Sequence, residues 1–260
     1  MSTESIVLYE NRGPVAWITI NRAEARNALS PEVVQGLLQA LQRAGEDDTA
    51  RVVVLTGAGD RAFCAGGDLK AGQSTFVFDP ARPSSDIARL FQYTPRVPKP
   101  VVARVNGHVM AGGMGLLAMC DLAIAADTAL FGLPEVQIGL FPMQVDALLQ
   151  RLIPRRKMLE MSLTGEPLTA QEALAIGLVN HLCAPAELDA KMDWFLARLL
   201  DKAPTAQRLG KHAMETIADM ALPQAMEYMA DQLGKIALTE DGREGLRAFN
   251  ERRAPQWTGR

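Results

Sequence analysis

NGHVMAGGMGLLAMCD, residues 106–121, follows an apolar run, Val101–Val105, and turns through glycine into a helical pattern. Leu116, Leu117, Met119 and Cys120 cover one side of a helix that begins near Gly112. A second stretch, FCAGGDL at 63–69, follows the run Arg51–Thr56 and breaks into glycine in the same way. Glycine at such a corner lets a ligand approach the backbone, and the first turn of a helix offers unpaired N–H groups of positive dipole character. Either corner alone reads equally well as tight packing. Two facing each other would supply two N–H donors to one developing oxyanion.

Working outward, Val101–Val105 and Leu122–Ala126 are short strands, apolar throughout but for Arg104, with a helix between them, the mark of a sheet buried on both faces. On the N-terminal side, Ile6–Tyr9 and Val15–Ile20 flank Asn11-Arg12-Gly13-Pro14 as a β-hairpin. Ser30-Pro31 opens a helix carried by Val34, Leu37, Leu38 and Leu41. Between Lys70 and Pro100 the pattern loosens into a loop with one short helix over Ser85–Tyr93. On the C-terminal side, a short helix starts at Pro134, and Thr169-Ala170-Gln171-Glu172 is a capping box whose helix stops at Gly177. From Ala186 onward the pattern is helical, with breaks predicted at Pro204, Pro223 and Gly242. The expected organisation is an α/β core over residues 1–185 and an all-helical region over 186–260.

A chain of 260 residues with 48% hydrophobic and 22% charged residues can bury a substantial core. Its net charge of −3 gives no footprint for nucleic acid or an anionic membrane surface, and no apolar run approaches a membrane span. Cys64, Cys120 and Cys183 sit in apolar surroundings and read as reduced thiols, with no cysteine–histidine cluster to hold a metal. MSTESIVLYENRG shows no signal-peptide pattern, so a cytoplasmic location is expected. The helical region carries a methionine-rich stripe: Met214, Ile217, Met220, Met226, Met229 and Leu233. It reads either as core within the chain or as a face covered by a neighbouring subunit.

AGGDL and NGHVMAGGMGLLAMCDLAIA resemble the two signature segments of the enoyl-CoA hydratase/isomerase (crotonase) superfamily. The resemblance continues in order through NRAEARNALS, LPEVQIGLFP, LTGEPLTAQEALAIGLVN and TEDGREGLRAFNERRAPQW. It implies an α/β, crotonase-like spiral of ββα units, the fold shared with ClpP, with a helical C-terminal oligomerisation region. It further implies a homotrimer or dimer of trimers, an acyl-CoA substrate, and no cofactor beyond the coenzyme A the substrate carries.

Within the resemblance, the backbone N–H groups of Gly67 and Gly112 fall at the oxyanion-hole positions, and their target is the thioester carbonyl of an acyl-CoA. The family's hydratases commonly use two glutamates. The second corresponds to Glu135, in Leu133-Pro134-Glu135. The first corresponds to Gly115, which cannot titrate. One carboxylate points to a one-base mechanism: Glu135 removes a proton at one carbon and returns it at another, a double-bond isomerisation. Hydration by the same glutamate is the alternative, and a non-catalytic acyl-CoA-binding or interaction protein is a further one. A glutamate after proline in a first helical turn also has a plain reading, since it complements the helix dipole. Burial among apolar groups would raise the pKa of Glu135 and suit it to proton transfer.

The family pattern places coenzyme A along Ala25–Ala28 and Ala65–Leu69, so Arg26, Ala28, Ala65, Gly67, Asp68, Leu69, Gly112 and Leu140 are the expected binding residues. Arg22, Arg26 and Lys70 are the candidate phosphate partners. Asp68 is expected to order its turn, and His108 to be a satisfied structural histidine; His181 and His212 lack a functional context. Phe91, Phe141 and Met143 hint at an apolar acyl pocket shaped by the 70–100 loop and the 139–144 segment. Asp146 is the one further acid expected near it. The family's dienoyl-CoA isomerases carry an aspartate at the position matched by Met143. No serine stands in a nucleophile-elbow pattern, which sets a serine hydrolase aside.

Overall fold

The computed structural model describes residues 5–68 and 85–260. Strands β1 (Val7–Arg12), β2 (Val15–Ile20), β3 (Val52–Gly57), β5 (Val101–Val105), β7 (Leu122–Ala126) and β10 (His181–Cys183) form one sheet in the order β1-β2-β3-β5-β7-β10. The β1–β2 hairpin is antiparallel and the remaining pairs are parallel. A second sheet orders β4 (Ala62–Cys64), β6 (His108–Met110), β8 (Leu130–Gly132) and β9 (Leu168–Thr169) as β4-β6-β8-β9. Each of β3, β5 and β7 is thus followed by a short strand that crosses to the second sheet. The chain climbs through repeated ββ steps, and helix α3 (Gly112–Ala118) returns it from β6 to β7.

The short strands have no period of their own in the sequence, because two or three residues cannot display alternation. They are fixed by burial instead: Phe63, Val109 and Phe131, one on each of β4, β6 and β8, are fully inaccessible. Helix α1 (Pro31–Glu46) begins as its cap predicts, with the Ser30 hydroxyl accepting from Val33 N–H and Pro31 in the first turn. Its Val33, Val34, Leu37 and Leu41 face join the main core with Ile18, Ile20 and Leu55. Helix α2 (Asp86–Tyr93) is capped by Ser85 and packs on α1. Helices α4 (Met143–Leu149) and α5 (Arg155–Thr164) follow a short 3₁₀ turn at Pro134–Ile138. The capping box at Thr169–Glu172 starts α6 (Ala170–Ala175), and Gly177 follows its end at φ +79°.

After β10 come helices α7 (Leu188–Leu200), α8 (Pro204–Ile217), α9 (Leu222–Ala237) and α10 (Glu240–Glu251). Leu188, Met192 and Leu196 of α7 lie on the opposite face of the large sheet, against Val15, Trp17, Val52 and Val54. The helical run beyond residue 185 therefore does not leave the core at once. The expected break at Gly242 is corrected: the chain breaks at Leu238–Thr239, and Gly242 lies in the first turn of α10, donating its N–H to the capping Thr239 hydroxyl at 2.9 Å. Glycine suits that turn because a Cβ there would meet the Ile236 carbonyl. The methionine stripe does not form core within the chain. Met226 is 64% exposed, Phe249 of α10 is 81% exposed, and Met214, Leu233, Leu238 and Leu246 are exposed as well. Among the described residues, no helix is long and apolar enough to cross a membrane.

Candidate active site

Two chain segments far apart in sequence are bonded side by side where β4 ends. Arg26 O accepts from Ala65 N–H (3.0 Å), Gly66 O from Leu29 N–H (2.7 Å), and Leu29 O from Asp68 N–H (3.0 Å). Because Leu29 uses the groups of residues 66 and 68, the N–H of Gly67 between them points to the other side of the segment. Asn27, fully buried at φ +56°, anchors this turn by donating to Ala58 O (3.0 Å) and Ala62 O (2.7 Å).

The start of α3 presses on the same place. A Cβ on Gly66, itself at φ +95°, would come within 2.5 Å of the Ala111 methyl, so only glycine admits the contact. Ala111 caps α3 with an uncommon backbone, φ 50° and ψ −122°, and donates its own N–H to Gly132 O at 2.9 Å. Gly112 opens the helix, where an N–H has no acceptor within the helix. A Cβ built on Gly112 would stand 3.7 Å from the Gly67 nitrogen. The two glycines that the sequence singles out are therefore neighbours in space, brought together from separate strand ends.

Glu135 projects from the 3₁₀ turn, with Pro134 at its first position. Its Oε2 is buried and has no hydrogen-bond partner among the described residues. Burial, above all, raises its pKa; a bond to its own backbone N–H opposes this, and the charge of Asp146 adds to it. Asp146 on α4 is raised as well, first by burial, while the Ser162 hydroxyl on α5 pulls the other way. Ser162 Oγ is 3.0 and 3.1 Å from the two Asp146 oxygens and 2.9 Å from Met158 O. Asp146 is thus the further acid whose charge adds to the shift at Glu135. At position 115, by contrast, the space beside the glycine is taken by the ring of Phe91.

The remaining candidates sort as follows. Arg22 is committed within the protein, donating to Asp68 Oδ2 and to Ala28 O, both at 2.9 Å, and this ion pair helps tie Asp68 into the turn. Arg26 is exposed at φ 52°, with Ala28 and Ala65 partly exposed near it. Leu69 and Lys70 lie outside the described residues. Leu140 is exposed, its N–H bound to Glu135 O at 3.0 Å, while Met143 is 73% exposed. His108 accepts from Leu130 N–H at 3.1 Å, a structural role. His181 packs edge-on against Trp194 and Phe195, away from the glycines in sequence and sheet order. Two open surface grooves, between β1 and α1 and between β2 and α7, contain none of Gly67, Gly112 and Glu135.

The model of the family "Enoyl-CoA hydratase/isomerase" matches residues 10–260. The chain belongs to the enoyl-CoA hydratase/isomerase family, in the crotonase superfamily. It is 38% identical to YngF of Bacillus subtilis (strain 168), a relative described by the same family name, over 98% of this chain and 99% of that one. It is 36% identical to the (E)-benzylidenesuccinyl-CoA hydratase of Thauera aromatica, over 97% and 99% of the two chains. The crystal structure of an enoyl-CoA hydratase from Mycobacterium smegmatis superposes with a TM-score of 0.91 at 32% identity, covering 98% of this chain and 99% of that chain. An enoyl-CoA hydratase from Bacillus anthracis superposes equally well, at 0.91 and 31% identity, over 98% and 100%. The architecture of two crossed strand sets with interposed helices is accordingly the crotonase fold, and the chain is an enzyme of a family of lyases and isomerases acting on acyl-CoA thioesters.

Proposed function

We propose that the chain is an enoyl-CoA isomerase-type enzyme in which the Gly67 and Gly112 N–H groups receive the thioester oxygen and Glu135 is the acid/base. The observation that carries this reading is the buried Oε2 of Glu135, without a hydrogen-bond partner among the described residues and with its pKa raised by burial, in a fold whose two glycine corners meet. A buried carboxylate oxygen left without a partner costs stability, and such perturbed groups cluster at functional sites. With a 3-enoyl-CoA bound, Glu135 takes the proton from C2. The electron pair moves into a dienolate whose oxygen lies on the two N–H groups, and the same carboxyl returns the proton at C4. Losing one such donor costs ~3 kcal/mol of transition-state stabilisation. No cofactor enters the balance. Arg26, at the exposed edge of the 25–28 turn, is the phosphate partner in this reading, and Ala28, Ala65, Gly67, Asp68, Leu69, Gly112 and Leu140 line the thioester's path.

A second reading is hydration, and the specific observation favouring it is Asp146, whose charge reaches Glu135. Two carboxylates can hold and orient a water. Incubation with 2-enoyl-CoA and 3-enoyl-CoA panels in heavy-oxygen water separates the two. Migration of the double bond without label in the product supports isomerisation; a labelled 3-hydroxyacyl-CoA as the main product replaces it with hydration. The exposed apolar face of α8–α10 is, in the same proposal, the contact surface of a homotrimer or dimer of trimers, working in the cytoplasm, where Cys64, Cys120 and Cys183 remain free thiols.

A further inference from the structure

Position 115 is not an empty place left by a missing side chain. A Cβ built there runs into Phe91 Cζ and stands 2.6 and 3.0 Å from Cε2 and Cε1, so nothing larger than glycine fits unless the ring moves. Phe91 is 4% exposed, and Gly115 is buried between Met114 and Leu116, both inaccessible. Gly115 lies one turn along α3 from Gly112, on the same side of the helix. The ring is also held in place from both ends of α2. At its start, the Ser85 hydroxyl accepts from Ala88 N–H at 3.2 Å and from Gln144 Nε2 of α4 at 2.8 Å. Just past its end, buried Thr94 lies with Oγ1 3.2 Å from Met119 Sδ, at the end of α3. Helix α2 is therefore docked onto the α3–α4 pair that carries Gly112 and Asp146.

We propose that Phe91, seated on Gly115, is a specificity-determining residue that keeps water from the wall beside the reacting carbons, and so directs Glu135 toward moving a proton between carbons. This rests on the isomerase reading above. A site holds a water only where two to four polar groups can bond it, and the ring carbons of Phe91 offer none. The suppressed reaction is fully balanced: the water oxygen bonds to C3 as the double-bond pair shifts to the thioester oxygen, while Glu135 takes the water proton and returns it to C2. The pair is reciprocal. Glycine admits the ring, and the ring forbids any other residue at 115.

Four variants of the full chain test this: Phe91→Ala, Gly115→Ala, their double, and Phe91→Ala/Gly115→Glu, each read by melting temperature and by products in heavy-oxygen water. Gly115→Ala should melt about 5 °C lower, from overpacking, and the loss in the double should be clearly smaller than the sum of the two single losses. Phe91→Ala should raise the ratio of labelled 3-hydroxyacyl-CoA to isomerised product by about tenfold or more, and adding Gly115→Glu should raise it further. Phe91→Leu, a smaller void, should move the ratio the same way where Phe91→Ala folds poorly. Additive melting losses would overturn the pairing, and an unchanged ratio in both Phe91 variants would overturn the role in specificity. A parent protein that converts no enoyl-CoA refutes the isomerase reading and the specificity role with it, whereas the melting cycle still judges the pairing alone.

Discussion

At the scale of single residues, Glu135 is the proposed acid/base, and its environment makes two further measurements decisive. The folded state holds its proton more tightly than the unfolded chain, because burial penalises the carboxylate. That group favours folding below its ordinary titration range, and the contribution is lost as pH rises through the raised folded value. Glu135→Gln cannot ionise, so it should melt higher than the parent at about pH 8, and the gap should close toward about pH 4. Equal melting curves at both ends would deny the burial effect. Asp146 adds to the same shift, so Asp146→Asn should lower the Glu135 pKa and move the acid limb of the pH–rate profile to lower pH. A limb that stays in place would remove Asp146 from the site. The meeting of Gly67 with Gly112 and the burial acting on Glu135 were legible in sequence because their motifs lie in short, ordered segments. Asp146 was only half legible, since the buried serine that bonds it lies sixteen residues on. Phe91 was read as a pocket wall, and nothing in the sequence ties it to Gly115; that contact exists only once α2 docks on α3.

At the scale of elements, the site depends on turns that hold strand ends together. Asn27 links the 22–29 turn to residues 58 and 62 through a side chain that no solvent reaches. Asn27→Ala should cost about 1–3 kcal/mol in a urea titration, since the Ala58 carbonyl loses its donor and a left-handed position loses the residue type that tolerates it. A change below a few tenths would show that the turn is held by its backbone pairing alone. The long strands of the first sheet, the hairpin and the capped helices were readable because each is long enough to show its period or its cap. The second sheet was not, because β4, β6 and β8 have three residues each and β9 two. Their pairing is enforced by distant partners. The same holds for the last break in the helical region, which a glycine signalled at the wrong residue: Gly242 serves close packing in a first turn rather than a stop.

At the scale of the whole molecule, the chain leaves an apolar face uncovered on α8–α10, including Met226, Leu233 and Phe249. Large apolar side chains exposed on successive helices are what a subunit contact would cover. Light scattering at micromolar concentration should therefore give the mass of a trimer or a multiple of it; a monomer would contradict the assembly. Phe249→Glu should shift that mass downward, because a charge placed in a buried contact is costly. The central claim is that one glutamate, opposite two glycine N–H groups, moves the proton. Its most direct test is turnover of a 3-enoyl-CoA by the parent and by Glu135→Gln, with CoA-ester binding measured alongside. Turnover should fall by at least ~100-fold while binding persists. A Glu135→Gln protein that isomerises the substrate at the parent's rate would contradict it.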